Sequence, residues 1–175
     1  MIAAAIDPGV TGGIAILSNP PQQFVTPLIG GKVDWREYAI LFDKLKDCYV
    51  VLEEVHSVFN SSAKANFTFG GMFYSALCLL HAKGIVHDLV PPKTWQAEIW
   101  TNTDKVFVTK KNKRDINVKR VDPKATSLLS ARRLFPEISF LYGDNETVKK
   151  GRRVKPHSGI LDAYLMAEYC RRKYV

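Results

Sequence analysis

The stretch that most constrains this chain is its opening, MIAAAIDPGVTGGIAIL, two apolar runs joined by a glycine-rich turn. Ile2-Ala3-Ala4-Ala5-Ile6 carries no polar residue, so it reads as a buried strand, and Ile14-Ala15-Ile16-Leu17 returns as its hairpin partner. Pro8-Gly9 turns the chain, and Thr11-Gly12-Gly13 keep the turn slim. Asp7 is the anomaly. A carboxylate at the lip of a buried strand costs desolvation unless it is capped, paired or holding a metal. Asp-Pro-Gly is equally satisfied as an ordinary turn with a side-chain cap, and the segment alone leaves both readings open.

The remainder alternates strands and helices. Residues 24–28 suggest a third strand, and Asp34 caps a helix from Trp35 to about Lys46 with Tyr38, Leu41, Phe42 and Leu45 as its apolar stripe. Tyr49-Val50-Val51-Leu52 is a buried strand ended by Glu53-Glu54. A loop over 56–69 leads to a helix from Gly71 to Lys83, a strand over 86–90 and a short helix from Trp95 to Trp100. Asp122-Pro123 supplies cap and first turn for a helix to Phe135, and a last helix runs from Gly159 to Lys173 on Ile160, Leu161, Tyr164, Leu165 and Tyr169. The expectation is α/β, a mixed central sheet flanked by helices, in one domain over 1–175.

Charge narrows the partner. The chain has 25 Lys+Arg against 17 Asp+Glu, a net +8, which favours a polyanion such as nucleic acid or an anionic membrane surface. No stretch approaches membrane-spanning length, and the chain enters its first strand without a leader, so a cytoplasmic-type location is expected. Cys48, Cys78 and Cys170 make neither a disulfide framework nor a zinc pattern. Basic residues concentrate in two segments read as loops. One is 101–122, with Lys110, Lys111, Lys113 and Arg114; the other is about 143–157, with Lys149, Lys150, Arg152 and Arg153.

Three acids occupy element ends: Asp7, Glu53, and Asp162 in the first turn of the last helix. Each alone has a plain structural role as turn cap, strand-end charge or helix-dipole partner. Together, two strand ends and one helix can gather carboxylates around hard divalent cations, and in a basic protein that points to a nuclease. In order along the chain, Ile6-Asp7-Pro8-Gly9-x-Thr11-Gly12-Gly13, Leu52-Glu53-Glu54-Val55 and Asp162-Ala163-Tyr164-Leu165-Met166-Ala167 resemble the motifs of RuvC-type Holliday junction resolvases of the RNase H-like superfamily, in the compact form of phages and organelles.

The resemblance implies an RNase H-like fold and a homodimer that nicks a four-way DNA junction symmetrically, using two Mg²⁺ ions (or Mn²⁺ in their place) and no nucleotide cofactor. Asp7 would bridge the ions, Glu53 and Asp162 would bind one each, and Lys124, opening a helix after Asp122-Pro123, matches an assisting lysine. The family also places an Asp or His about three residues before the last Asp. Here that position is Gly159, flanked by His157 and Ser158. His157 is expected to supply or orient a fourth ligand, and Ser158 marks either a tolerated change or a weakened, binding-only site; its plain role is a helix cap. The segment 56–69, with His56, Phe59, Lys64, Phe67 and Phe69, corresponds to the family's aromatic wedge. Phe59 is the expected wedge, Lys64 a DNA contact, and Phe67 and Phe69 core. An RNase H-like nuclease acting on other branched or hybrid substrates is the rival reading.

Overall fold

The computed structural model describes residues 1–55, 62–111, 117–140 and 156–175. In chain order its elements are β1 (Ile2–Asp7), β2 (Gly13–Ile16), β3 (Gln22–Val25), β4 (Leu28–Ile29), β5 (Lys32–Val33), α1 (Trp35–Leu41) with a 3₁₀ turn at Phe42–Leu45, β6 (Cys48–Glu53), α2 (Ala63–Ala82), β7 (His87–Val90), α3 (Pro92–Ile99), β8 (Phe107–Lys111), β9 (Asn117–Val121), α4 (Pro123–Leu134) and α5 (Ser158–Tyr174). The first strand, apolar up to its terminal Asp7, lies at the centre of a five-stranded sheet of order β3-β2-β1-β6-β7. The pairs β1–β2 and β2–β3 are antiparallel, whereas β1–β6 and β6–β7 are parallel. This is the expected mixed sheet. Its parallel half requires crossovers, and α1 and α2 lie in them.

Alternation along the central strands divides the core in two. Ala3, Ala5, Ala15 and Val51 meet α3, α4 and α5 on one face; Ala4, Ile6, Ile14, Ile16, Val50 and Leu52 meet α1 and α2 on the other. The small alanines on the first face let α5 settle close, and Ile160, Leu161, Tyr164, Leu165 and Tyr169 are all buried there, as their spacing predicts.

Three expectations are corrected. The helix expected from Gly71 begins at Ala63, because Ser62 caps it by accepting from Ala65 N–H and Ala63, Lys64 and Ala65 are strong helix formers that carry it through Gly70-Gly71. Phe67 therefore sits on a projecting helical turn at 84% exposure rather than in the core. The basic segment 101–122 is not a loop throughout. Its β-branched residues pair β8 with β9 as an antiparallel ribbon.

Candidate active site

The sheet register brings two of the acids together. The last registered pair between β1 and β6 is Ile6↔Leu52, so Asp7 and Glu53 are the next residues on adjacent strands, which run about 4.8 Å apart. Alternation assigns both to the face of Ala3, Ala5 and Val51, where α5 packs. Asp162 comes from the first turns of α5.

Glycine makes that approach possible. A Cβ on Gly13 would stand 2.8 Å from the Gly159 carbonyl carbon, and one on Gly159 would stand 2.7 Å from the Gly12 carbonyl carbon and closer still to the Thr11 carbonyl oxygen. The β1–β2 turn and the start of α5 thus touch backbone to backbone. The turn is itself held by Gly12 N–H on the Gly9 carbonyl (2.9 Å) and by the buried Thr26 hydroxyl on the same oxygen (2.7 Å). Gly159→Ala is expected to cost about 1–3 kcal/mol by overpacking and to push Asp162 away from Asp7. Denaturant midpoints check the first effect. An unchanged midpoint would show that the contact has slack.

The three carboxyls are each partly buried, and none forms an ion pair with Lys or Arg among the described residues. Asp7 is held well above the usual carboxylate range, first by burial, then by the charges of Glu53 and Asp162. Burial pushes Glu53 up to about 7, opposed by a hydrogen bond from Trp95 and helped by Asp162. Burial likewise raises Asp162 to about 6, against a hydrogen bond from Ser127 and the charge of Lys124. Asp7 and Glu53, partly desolvated and raised further by neighbouring acids, have no cation lowering them among the described residues, and Asp162 has only Lys124, so the site is short of positive charge. Their oxygens suit Mg²⁺ or Mn²⁺. No three His, Cys, Asp or Glu side chains among the described residues converge to hold one ion.

Sequence reasoning missed two supporting groups. Trp95, 1% exposed on α3, donates its indole N–H to Glu53 Oε1 at 2.9 Å. Ser127, buried on α4 one turn after Lys124, bonds Asp162. Nothing in the local sequence singles out Ser127 from the other buried hydroxyls of α4, Thr126 and Ser130, or marks Trp95 as a partner of Glu53. Trp95→Phe should keep the packing while freeing the Glu53 carboxyl to rotate and protonate more readily. A 10- to 100-fold loss of Mg²⁺ affinity, by about the usual effect of removing such a supporting bond, is expected in calorimetric titration.

At the start of α5 the cap is His157, not Ser158: its Nδ1 accepts from Ile160 N–H at 3.2 Å. With Nδ1 accepting, the neutral ring carries its proton on Nε2, so His157 orients the helix that bears Asp162. Ser158 is exposed and lines a cleft of about 540 Å³ with Lys124, Ser127 and Asp162. On a helix, positions 158 and 162 share a face. A side chain at 159 has no room; one at 158 does. A second cleft, about 520 Å³, lies beside Asp7 and is lined by Thr11, Ser62, Lys64, Thr68 and Phe69. Lys64 and the half-buried Phe69 thus share a cleft with Asp7, while Lys110 and Lys111 lie exposed on β8. His56, Phe59, Lys113, Arg114, Lys149, Lys150, Arg152 and Arg153 lie outside the described residues.

No family model matches the sequence, and no curated protein matches it. Among solved structures, the chain is similar to T. thermophilus RuvC in complex with Holliday junction substrate, with a TM-score of 0.54 over 99% of this chain and 97% of that one. The chain has the RNase H-like fold of RuvC. At 12% identity the likeness is one of fold. Among the described residues, no helix is long and apolar enough to cross a membrane.

Proposed function

We propose that this chain is a structure-selective DNA endonuclease that resolves four-way junctions by two symmetric, metal-dependent nicks. The observation that carries the reading is Asp7, next to Glu53 at the ends of adjacent strands, partly buried and raised by the charges of both Glu53 and Asp162. The fold shared with RuvC, a protein solved with Holliday junction substrate, supports it. Asp7 would be shared between two Mg²⁺ ions, with Glu53 and Asp162 holding one each. When bound, such ions supply an activated water and stabilise the leaving oxygen of a phosphodiester. Lys124, lining the cleft beside Asp162, stabilises charge on the scissile phosphate. Trp95 and Ser127 fix the two outer carboxylates. The nicks leave 5′-phosphates and 3′-hydroxyls.

Two paired nicks require two sites. The exposed Trp35 and Tyr74 line an apolar hollow between α1 and α2 that suits a second copy of the chain. Phe67, exposed on the same helix, would stack on bases opened at the crossover in the wedge role expected of Phe59.

The test is nicking of an end-labelled four-way junction in Mg²⁺ and then Mn²⁺, beside plain duplex, flapped duplex and RNA–DNA hybrid, with sedimentation to give the oligomeric state. Symmetric paired nicks by a dimer support the reading; a monomer that prefers hybrid overturns it. A specific observation favours one second reading. Ser158 places a hydroxyl where an acid on the Asp162 face would fit, so a chain that binds junctions and cuts only as Ser158→Asp would be a binding protein with a weakened site.

A further inference from the structure

Among the described residues the β8–β9 ribbon stands apart from the five-stranded sheet and pairs only within itself. Its base is nonetheless fixed. Asp122 N–H donates to the Val106 carbonyl at 2.8 Å, and Val106 N–H donates to the buried Thr126 hydroxyl of α4 at 3.1 Å. Just before the ribbon, Asp104, 4% exposed, accepts from Ser130 Oγ at 3.0 Å and from Arg133 at 2.7 Å, again on α4. These bonds join the ribbon to the helix whose first turn carries Lys124 into the cleft. The ribbon is a mounted arm.

Its two faces differ. Opposed residues in an antiparallel pair share a face, so the register Phe107↔Val121, Thr109↔Lys119 and Lys111↔Asn117 defines one, and Val108↔Arg120 and Lys110↔Val118 the other. On the second face the exposed Lys110 and Arg120 alternate with the half-buried Val108 and Val118; on the first only Val121, at the base, is half-buried, and Phe107, Thr109, Lys111, Asn117 and Lys119 are exposed. The Lys119 ammonium lies 4.7 Å from the Phe107 ring centroid, which restrains that side chain. Neither strand carries an acid. An exposed face of Thr, Lys, Asn and Lys combines positive charge with side chains that hydrogen-bond base edges.

We infer that the exposed face of the β8–β9 ribbon enters the major groove of a B-form DNA duplex next to the cleavage site and reads its bases through Thr109, Lys111, Asn117 and Lys119. The inference rests on the proposed nuclease reading for the position of the cut but not for the binding itself. The B-DNA major groove, about 12 Å wide, admits a two-stranded ribbon, whereas the deep, narrow major groove of A-form RNA does not. Strands of five residues reach about 17 Å. At about 3.4 Å per base pair, the ribbon covers about five pairs from its base.

The experiment is a selection of plain duplexes randomised over a short window, using the full chain without divalent metal, and beside it a junction library randomised over the five pairs flanking the crossover and cut in Mg²⁺. The wild-type chain should favour particular bases by about five- to a hundredfold per read position. Asn117→Ala/Lys119→Ala should flatten that preference to within about twofold, while Lys110→Ala, on the other face of the same ribbon, weakens all sequences alike. A wild-type chain with no base preference, or a preference untouched by Asn117→Ala/Lys119→Ala, overturns the inference. Selection of duplex sequences that depends on the exposed face, in a chain that cuts no junction, upholds the ribbon and removes the nuclease reading. Junction cutting with a preference indifferent to the ribbon does the reverse.

Discussion

Asp7→Asn is expected to lower the rate of Mg²⁺-dependent junction nicking by at least about a thousandfold while leaving junction affinity in metal-free buffer within about threefold. Asp7 is the carboxylate that feels both others, since its shift has contributions from Glu53 and Asp162, so it is the residue through which two ions would be coupled. The substitution keeps the shape and removes the charge. DNA affinity, by contrast, depends on cations that release counterions from phosphates, and an Asn at the strand end removes none of them. The metal-free variant should also be the more stable protein, by about 1–3 kcal/mol, because a partly desolvated charge repelled by two neighbours has been replaced by a neutral amide. Nicking and gel shift measured on the same preparation separate the two effects. Unchanged nicking would sink the metal-centre reading; loss of binding in step with cutting would mean that Asp7 serves the turn alone.

The core and the acids were legible for one reason: both are dictated by local pattern. A strand with no polar residue before its end has to be central, and a carboxylate at its end requires an explanation; Asp7 and Glu53 could be picked out on that ground, and Asp162 by its place in the first turn of an apolar helix. The register that sets Asp7 beside Glu53 is a long-range fact, and with it came Trp95, whose bond to Glu53 crosses two parallel strands and a helix start. Nothing in Pro-Lys-Thr-Trp reports a partner some forty residues earlier. The glycine contact was half visible. Gly12 and Gly13 announced a slim turn, but only the fold shows that the space they leave is filled by Gly159, the position where the resolvase resemblance puts a ligand. The loop expected over 101–122 follows from its many lysines, but Val108, Val118 and Val121 supply strand pairing under them.

In metal-free buffer the protein is expected to lose stability as pH rises from about 4 to about 7, and Mg²⁺ is expected to restore it. The sign follows from the carboxyls. Glu53 is raised to about 7 and Asp162 to about 6 in the folded chain, whereas in the unfolded chain both return to about 4. Across that interval the folded state binds more protons than the unfolded one, so stability falls with increasing pH and levels off above about 7. At about 1.4 kcal/mol per pKa unit the contribution of either group is on the order of 3 kcal/mol, and the two do not add, because part of the Glu53 shift is repulsion by Asp162. His157, lowered by burial, works in the opposite sense below about 6.5, so the difference between wild type and Asp7→Asn is the quantity to follow. Bound Mg²⁺ requires the ionised acids and stabilises by mass action, about 2.7 kcal/mol at a hundred times its dissociation constant. Thermal unfolding should therefore show almost no response to Mg²⁺ near pH 5 and a clear upward shift near pH 8, with both the pH slope and the Mg²⁺ response flattened in Asp7→Asn. A melting temperature indifferent to Mg²⁺ and Mn²⁺ at pH 8 would show that these carboxylates do not hold hard cations, and the charge imbalance at the strand ends would need a basic partner instead.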